Sequence, residues 1–383
     1  MAPLSTPKPV TVSALKSARQ GRGWSQSVAA VEFAKVAVRL NVSVPESDSI
    51  KTALSRWENG KRAPDDENLR VLRSLYGLTD TELGIGAEPS TPDAVRELAL
   101  RLNRSGRVDA HVIALLDDQT HQLRLQDRRF GAAVLLDQMG AHVANVSTIL
   151  AYTASPLRRK AIARVLADAA ALAGWQALDA AAATRAWEHF DTARVAGAES
   201  GDSGLLAHAL GEQCYALVET GNIAEAHELA THAAALPKLP PHLRAWLAAV
   251  SGEINAVAGN ASAALSDFDR AHALLPTTAD ESLPFISLDD THLSRWRGSA
   301  QAKLGQAEAI DTLTATVQRL DASFVRARAG LETDLATAYA AIGERDKART
   351  HIRAATNLAR EIGSQRLLNR LRLIHLPGGQ HSQ

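Results

Sequence analysis

Four glycine turns recur through the C-terminal half of this chain: Gly221-Asn222, Gly259-Asn260, Gly305-Gln306 and Gly343-Glu344, at spacings of 38, 46 and 38 residues. The residues around them keep the same frame. Seven positions before each glycine stand Cys214, Gly252, Gly298 and Ala336. Five positions after stand Ala226, Ala264, Ile310 and Ala348, and twelve after stand Ala233, Ala271, Val317 and Ala355. An earlier unit fits around Ala181, with Gly174, Ala186, Phe190 and Ala193. Small residues at helical spacing on both sides of a turn describe a helical hairpin. A hairpin that cannot bury its own face must stack on its neighbours. The Gly259 unit is the cleanest, closed by Pro276, and the Gly305 unit is the weakest. Only 4% of the 383 residues are aromatic, alanine is abundant, and β-branched runs of period two are missing. Small side chains let helices approach closely, so the chain is expected to be all-α.

These units resemble tetratricopeptide repeats over about residues 160–360, with spacings longer than the usual repeat. The resemblance implies an α-solenoid whose first helix in each pair lines a concave groove. Counting back from the turn glycines places Asp168, Trp175, Asp179, His208, Tyr215 and Glu219 on the groove in the first units. Trp246 and Glu253 follow in the middle unit, and His292, Arg295 and Lys303 in the fourth. Such a groove is acidic and aromatic at one end and basic at the other. It suits an extended peptide with separated charges. The alternative is that these are ordinary packing and surface residues of helices.

The N-terminal part is different. Residues 11–84 show short helices with clear stops. Leu15 and Ala18 share one helical face, with Arg19 and Arg22 off it, and Ser25 is a good N-cap for a helix over 26–40. A polar loop over 41–48 precedes a short helix over 49–58, which Asn59-Gly60 stops. Pro64 and the acidic residues after it start the next helix, and Thr79 caps a fifth, short one. The helix at 49–58 buries Ile50, Leu54 and Trp57 and turns donors elsewhere. Four basic residues and one acid lie between Lys51 and Arg62. Gly23-Trp24-Ser25-Gln26 and Leu54-Ser55-Arg56-Trp57-Glu58-Asn59-Gly60-Lys61-Arg62-Ala63-Pro64 together resemble Xre/Cro-type helix-turn-helix regulators. The 31 residues from Gln26 to Trp57 exceed that family's compact pattern. The resemblance implies that Lys51, Thr52, Ser55 and Arg56 reach base edges of double-stranded DNA, and that Gln26, Asn59, Lys61 and Arg62 lie near its backbone. Trp57 reads as core and Glu58 as a salt bridge or cap.

Pro, Gly, Ser and Thr cluster at 85–93, which reads as a linker. Connecting helices over 94–155 and the repeat domain over 156–376 follow, with loose tails at 1–10 and 377–383. Gln119-Thr120 and Asp127-Arg128-Arg129-Phe130-Gly131 resemble the connecting segment of actinobacterial regulators that join such a DNA-binding head to such repeats. Arg128-Arg129 itself reads as a solvated charged face.

Several functions are excluded. Lys plus Arg and Asp plus Glu are both 42, so the chain is no polycation that coats nucleic acid by charge alone. A single cysteine, Cys214, forms neither a disulfide framework nor a multi-cysteine metal site. It sits at a small-residue packing position. His227 and His232 are five apart, about 140° around a helix, and cannot share one metal. Neither a nucleophile elbow nor a phosphate loop occurs, so no enzyme, metal or cofactor is expected. The start of the chain has no apolar core like that of a secretory signal, and the apolar stretch 165–187 carries Asp168, Asp179 and Arg185, so it reads as a packed helix. A cytoplasmic location is expected.

The whole resembles the peptide-sensing RRNPP group of regulators. That resemblance implies a homodimeric transcription regulator in which a peptide or small molecule in the groove alters operator affinity. Two alternatives stay open: a repeat adaptor without operator-specific binding, and a dimeric repressor that needs no ligand.

Overall fold

The computed structural model describes residues 14–42, 47–59, 61–62, 64–79, 82–83, 91–278 and 283–376. The expected tails and most of the expected linker lie outside them. The chain divides into two compact units, residues 1–100 and 101–383.

Four helices form the first unit: α1 (Ala14–Gly21), α2 (Gln26–Arg39), α3 (Ser47–Glu58) and α4 (Asp66–Tyr76). Ser25 caps α2 by accepting from the Val28 N–H, and Asp65 caps α4 by accepting from Asn68. Asn41, at φ 54°, ends α2 in the left-handed region, and Val42 N–H reaches back to the Ala37 carbonyl at 2.9 Å. At the expected fifth helix, Thr79 N–H donates to the Glu82 carboxylate at 2.8 Å and Glu82 N–H to the Thr79 hydroxyl at 3.3 Å. This reciprocal pair is a capping box; residues 80 and 81 lie outside the described residues. Leu15, Phe33, Leu54 and Leu72 fill the core, and the Phe33 and Trp57 rings stand 5.9 Å apart. The expectation for Arg19 is overturned. It is only 8% exposed and packs inward, because Glu58 at the end of α3 compensates its charge.

Helix α5 (Thr91–Gly106) runs across the division between units. The second unit continues with α6 (Ala110–Phe130) and α7 (Leu136–Ala151). Five hairpins follow: α8 (Pro156–Asp179) with α9 (Ala183–Ser200), α10 (Ser203–Glu219) with α11 (Ile223–Ala234), and α12 (Pro241–Val257) with α13 (Ala261–Leu274). Then come α14 (Asp290–Lys303) with α15 (Ala309–Arg319), α16 (Val325–Ala341) with α17 (Arg345–Glu361), and a last helix α18 (Gln365–Arg372). The first helix of each pair packs on the first helix of the next, so the unit is a helical-repeat α-solenoid.

The hairpin turns explain the sequence frame. Gly221, Gly259, Gly305 and Gly343 have φ between 70° and 81°, and Ala181 holds the equivalent place at 59°. Where the two helices of the first and third pairs cross, a glycine faces a phenylalanine sixteen residues on. A Cβ on Gly174 would lie 2.4 Å from Phe190, and one on Gly252 would lie 2.8 Å from Phe268. In the Gly305 unit the partner of Gly298 is Leu313, fifteen residues on, at 2.6 Å. The slip has a local cause. Helix α15 starts four residues after its turn glycine rather than two, so Ala309, Leu313 and Thr316 are buried and the expected Ile310 and Val317 are only half-buried.

Helix α8 is long and apolar enough by length and composition to cross a membrane, but 78% of its apolar window is buried in the fold. It packs on α6, α7, α9, α10 and α18.

Candidate functional site

In the first unit, burying Ile50, Leu54 and Trp57 fixes which side of α3 faces out. Lys51, Thr52 and Arg56 are exposed, Ser55 is half-buried, and Lys61 and Arg62 are exposed just beyond the helix end. Asn59 is occupied within the fold: its side-chain amide donates to the Ser55 carbonyl at 2.6 Å and closes α3. Gln26 is half-buried and donates to Glu58 at 2.9 Å. Glu58 thereby ties α1, α2 and α3 together, since it also takes the Arg19 Nε at 2.6 Å. Arg22 ties α4 in, donating to the carbonyls of Leu75 and, at 2.8 Å, Tyr76.

In the second unit the inner helices, with α6 and α18, line a half-open cavity of about 270 Å³. Asp168, Trp175, Asp179, His208, Tyr215, Trp246, Glu253, His292, Arg295 and Lys303 all line it. Glu219 does not. It sits at the exposed end of α10, where Arg366 of α18 takes its carboxylate.

The wall contains residues that the turn register could have found. Nine positions before four of the five turns stand Leu172, Glu212, Trp296 and Asp334, and all four line the cavity; nine before Gly259 stands Val250, which is buried in the core instead. Thirteen before stand Asp168, His208, Trp246, His292 and Gly330, one from every hairpin. Positions four and seven apart on one helix share a face, so one stripe repeats five times. Arg124, Asp127 and Arg128 on α6, and Arg366 and Arg370 on α18, carry no such signal.

Those non-repeat residues overturn the expected split between acidic and basic ends. Buried carboxylates need compensation, and arginines from outside the inner stripe supply it. Arg326 on α16 makes a two-pronged pair with Asp127, both at 2.7 Å, and a third contact with Asp179 at 3.1 Å. Burial alone would pull the Arg326 guanidinium down, but Asp127 and Asp179 outweigh it and hold it above the usual arginine value. Arg124 pairs with Asp168, and Arg370 with Asp334. Glu253 accepts from the Tyr215 hydroxyl at 2.7 Å and lies 3.6 Å from Lys303. Burial and then Glu253 push the Tyr215 hydroxyl well above its ordinary value.

Arg128 also departs from the solvated face expected for it. It is half-buried, donates to Ser287 and to the Pro284 carbonyl, and lies over the Phe324 ring at 5.4 Å. Arg129 is exposed. Cys214 is fully buried between α10 and α11, and burial pushes its thiol up to about 12. It fills the position that glycine fills in other units.

Two buried histidines set a pH dependence. Burial lowers His142, which faces Thr120 at 2.9 Å. Burial, then Arg295, lowers His292 against the opposing pull of Asp289. Their folded forms bind protons more weakly than the unfolded chain does. Their stabilisation is therefore complete above the ordinary value of 6.5 and is lost as pH falls through the folded values. The melting temperature of the second unit should be flat above pH 7 and fall from about pH 6.5 downward. Differential scanning calorimetry should show a shallower fall for His142→Asn. An equal fall in both proteins would remove His142 from the account.

No family model and no curated protein matches the chain. Among solved structures it is similar to a Rap protein complexed with Competence and Sporulation Factor, at 15% identity over 92% of this chain and 98% of that one, with a TM-score of 0.45.

Proposed function

We propose that the chain is a sequence-specific DNA-binding transcription regulator whose repeat unit senses a peptide or small molecule. One observation carries the first half: the buried Ile50, Leu54 and Trp57 turn Lys51, Thr52 and Arg56 outward together, with Lys61 and Arg62 following. A helix inserted in a major groove needs such a division into anchored and donor-bearing faces. The cavity supports the second half. It is a concave, half-open site walled by several helices and lined by aromatic and charged groups, as ligand sites are. A ligand that favours one curvature of the solenoid shifts operator affinity by its differential binding to the two forms. The regulator acts as a homodimer on paired half-sites in this reading, which sedimentation with and without duplex checks.

Fluorescence anisotropy on a duplex from the chain's own promoter tests the DNA half. Lys51→Ala with Arg56→Ala should weaken specific binding roughly 10- to 100-fold and narrow the gap to a scrambled duplex. Undiminished binding by the double variant would remove α3 as the reading element. Equal, weak binding of promoter and scrambled duplexes by the parent protein would favour a repeat adaptor instead.

A further inference from the structure

The charges around the cavity do not cancel everywhere, and what is left over has a pattern. Asp127, Asp168, Asp179 and Asp334 are each satisfied by an arginine, and Glu253 by Tyr215 and Lys303. Three arginines at one corner keep donors that no carboxylate takes. Arg128 has only neutral partners: a hydroxyl, a carbonyl and the Phe324 ring. Arg124 spends one nitrogen on Asp168, while its Nη1 is buried with no hydrogen-bond partner. The Arg295 Nε is likewise buried and unpartnered. The His292 Nε2 is buried and unpartnered too, but the neutral ring gives its Nδ1–H to Asp289 at 2.9 Å, so this nitrogen is an acceptor and not a donor. Arg124 is 5% and His292 8% exposed. These groups are neighbours: His292 meets edge-on, at 4.7 Å, the same Phe324 ring that Arg128 covers, Arg295 acts electrostatically on His292, and Arg124 on Arg128.

One carboxylate is left over in turn. Glu212 lies nine residues before its turn glycine, on the inner stripe. Its Oε2 is buried and unpartnered, and its Oε1 is 3.5 Å from the His208 Nε2. An aromatic wall adjoins it: His208 packs on Trp246 at 5.1 Å and on Phe285 at 4.4 Å.

Buried donors and acceptors without partners are costly, and a ligand that satisfies them recovers that cost on binding. Several converging N–H donors match the lone pairs of one carboxylate, while a lone buried carboxylate matches an ammonium. The cavity, at about 270 Å³, lies just below the range typical of drug-sized ligands. We infer that it takes a compact zwitterion of the size of a free dipeptide, with its carboxylate at the corner of Arg124, Arg128 and Arg295 and its ammonium at Glu212. An apolar side chain of the ligand lies against Trp246 and Phe285. This deepens the sensor reading of the same cavity and narrows the ligand from an extended peptide to a short one.

The full-length protein is titrated with an equimolar pool of free dipeptides, followed by the fluorescence of the cavity tryptophans and by melting temperature. The same pool amidated at its C-terminus, the same pool acetylated at its N-terminus, and a pool of free decapeptides complete the set. The free dipeptides should bind, and either cap should weaken binding roughly 10- to 100-fold. Arg128→Gln should reduce the penalty of amidation and leave that of acetylation. Glu212→Gln should do the reverse. The inference is overturned if the amidated or the acetylated pool binds as well as the free one. Decapeptides binding where dipeptides do not would overturn it too, as would no binding by any pool at millimolar concentration. None of these measurements contains DNA, so the Lys51 and Arg56 experiment stands or falls separately.

Discussion

Replacing Arg326 by methionine should destabilise the second unit by about 3–5 kcal/mol, read as a lower urea midpoint with an unchanged slope. The size follows from what the substitution leaves behind. Asp127 and Asp179 are 2% and 3% exposed, and Arg326 is the only cation within ion-pair distance of either among the described residues. Without it, Asp127 keeps a hydrogen bond from Gln176 at 3.2 Å and Asp179 one from Ser364 at 2.6 Å. Neither neutral donor offsets a buried negative charge. Lysine should rescue little, because its point charge cannot make the two-pronged contact with Asp127 and also reach Asp179. Adding Asp127→Asn and Asp179→Asn to Arg326→Met should restore most of the loss, since the stranded charges go with the cation. A change below about 1 kcal/mol in the single variant would mean that water reaches the site and screens it. The pair also joins distant parts of the chain, 199 and 147 residues apart, and brings α6, α8 and α16 to one point. Hydrogen exchange in α6 and α16 should accelerate together in Arg326→Met, before exchange in α11 and α13 changes.

This network marks where the sequence stops being readable. The hairpins were legible because each turn needs a left-handed residue and each helix crossing needs a small one. Both demands leave a mark at a fixed spacing, so Gly221, Gly259, Gly305 and Gly343 set the register for the whole inner face. That register brought ten of the eleven groove residues to one cavity. Taken nine positions before the turns, it also reaches Glu212 and Asp334. It could not supply Arg124, Arg128, Arg366 or Arg370, which come from helices outside the period and meet partners far away in sequence. Without those arginines the inner stripe reads as a groove with an acidic end. With them it becomes a mostly neutralised wall with a few uncompensated donors. The α15 slip shows the same limit locally, because two extra residues after Gly305 change which face is buried and leave the turn itself intact. In the first unit the apolar pattern placed Leu15 and Leu54 inside. It failed for Arg19, since an amphipathic pattern assigns charged residues outward unless the partner that draws them in is known.

The substitution Glu58→Ala should cost the first unit about 3–5 kcal/mol, for the same physical reason with the signs exchanged. The Arg19 guanidinium is buried and donates to both carboxylate oxygens of Glu58, at 2.6 and 3.0 Å. Its hydrogen bond to Glu58 raises it above the usual arginine value, against the pull of burial. Removing the carboxylate leaves that charge with the Trp24 carbonyl, at 2.7 Å, and frees Gln26 as well. Three helices lose their common tie, and α3 is one of them. If α3 reads DNA, duplex binding by Glu58→Ala should fall as the temperature approaches the lowered melting point and recover on cooling. The Lys51 and Arg56 double variant should behave differently, losing specific binding at every temperature with little change in melting. Arg19→Met combined with Glu58→Leu should restore stability to within about 1–2 kcal/mol, because the pair is then replaced by packed apolar groups rather than broken. Restored folding with restored duplex binding would place the role of Glu58 in positioning α3. Restored folding without binding would mean that the carboxylate, or Gln26 through it, takes part in the DNA interface itself.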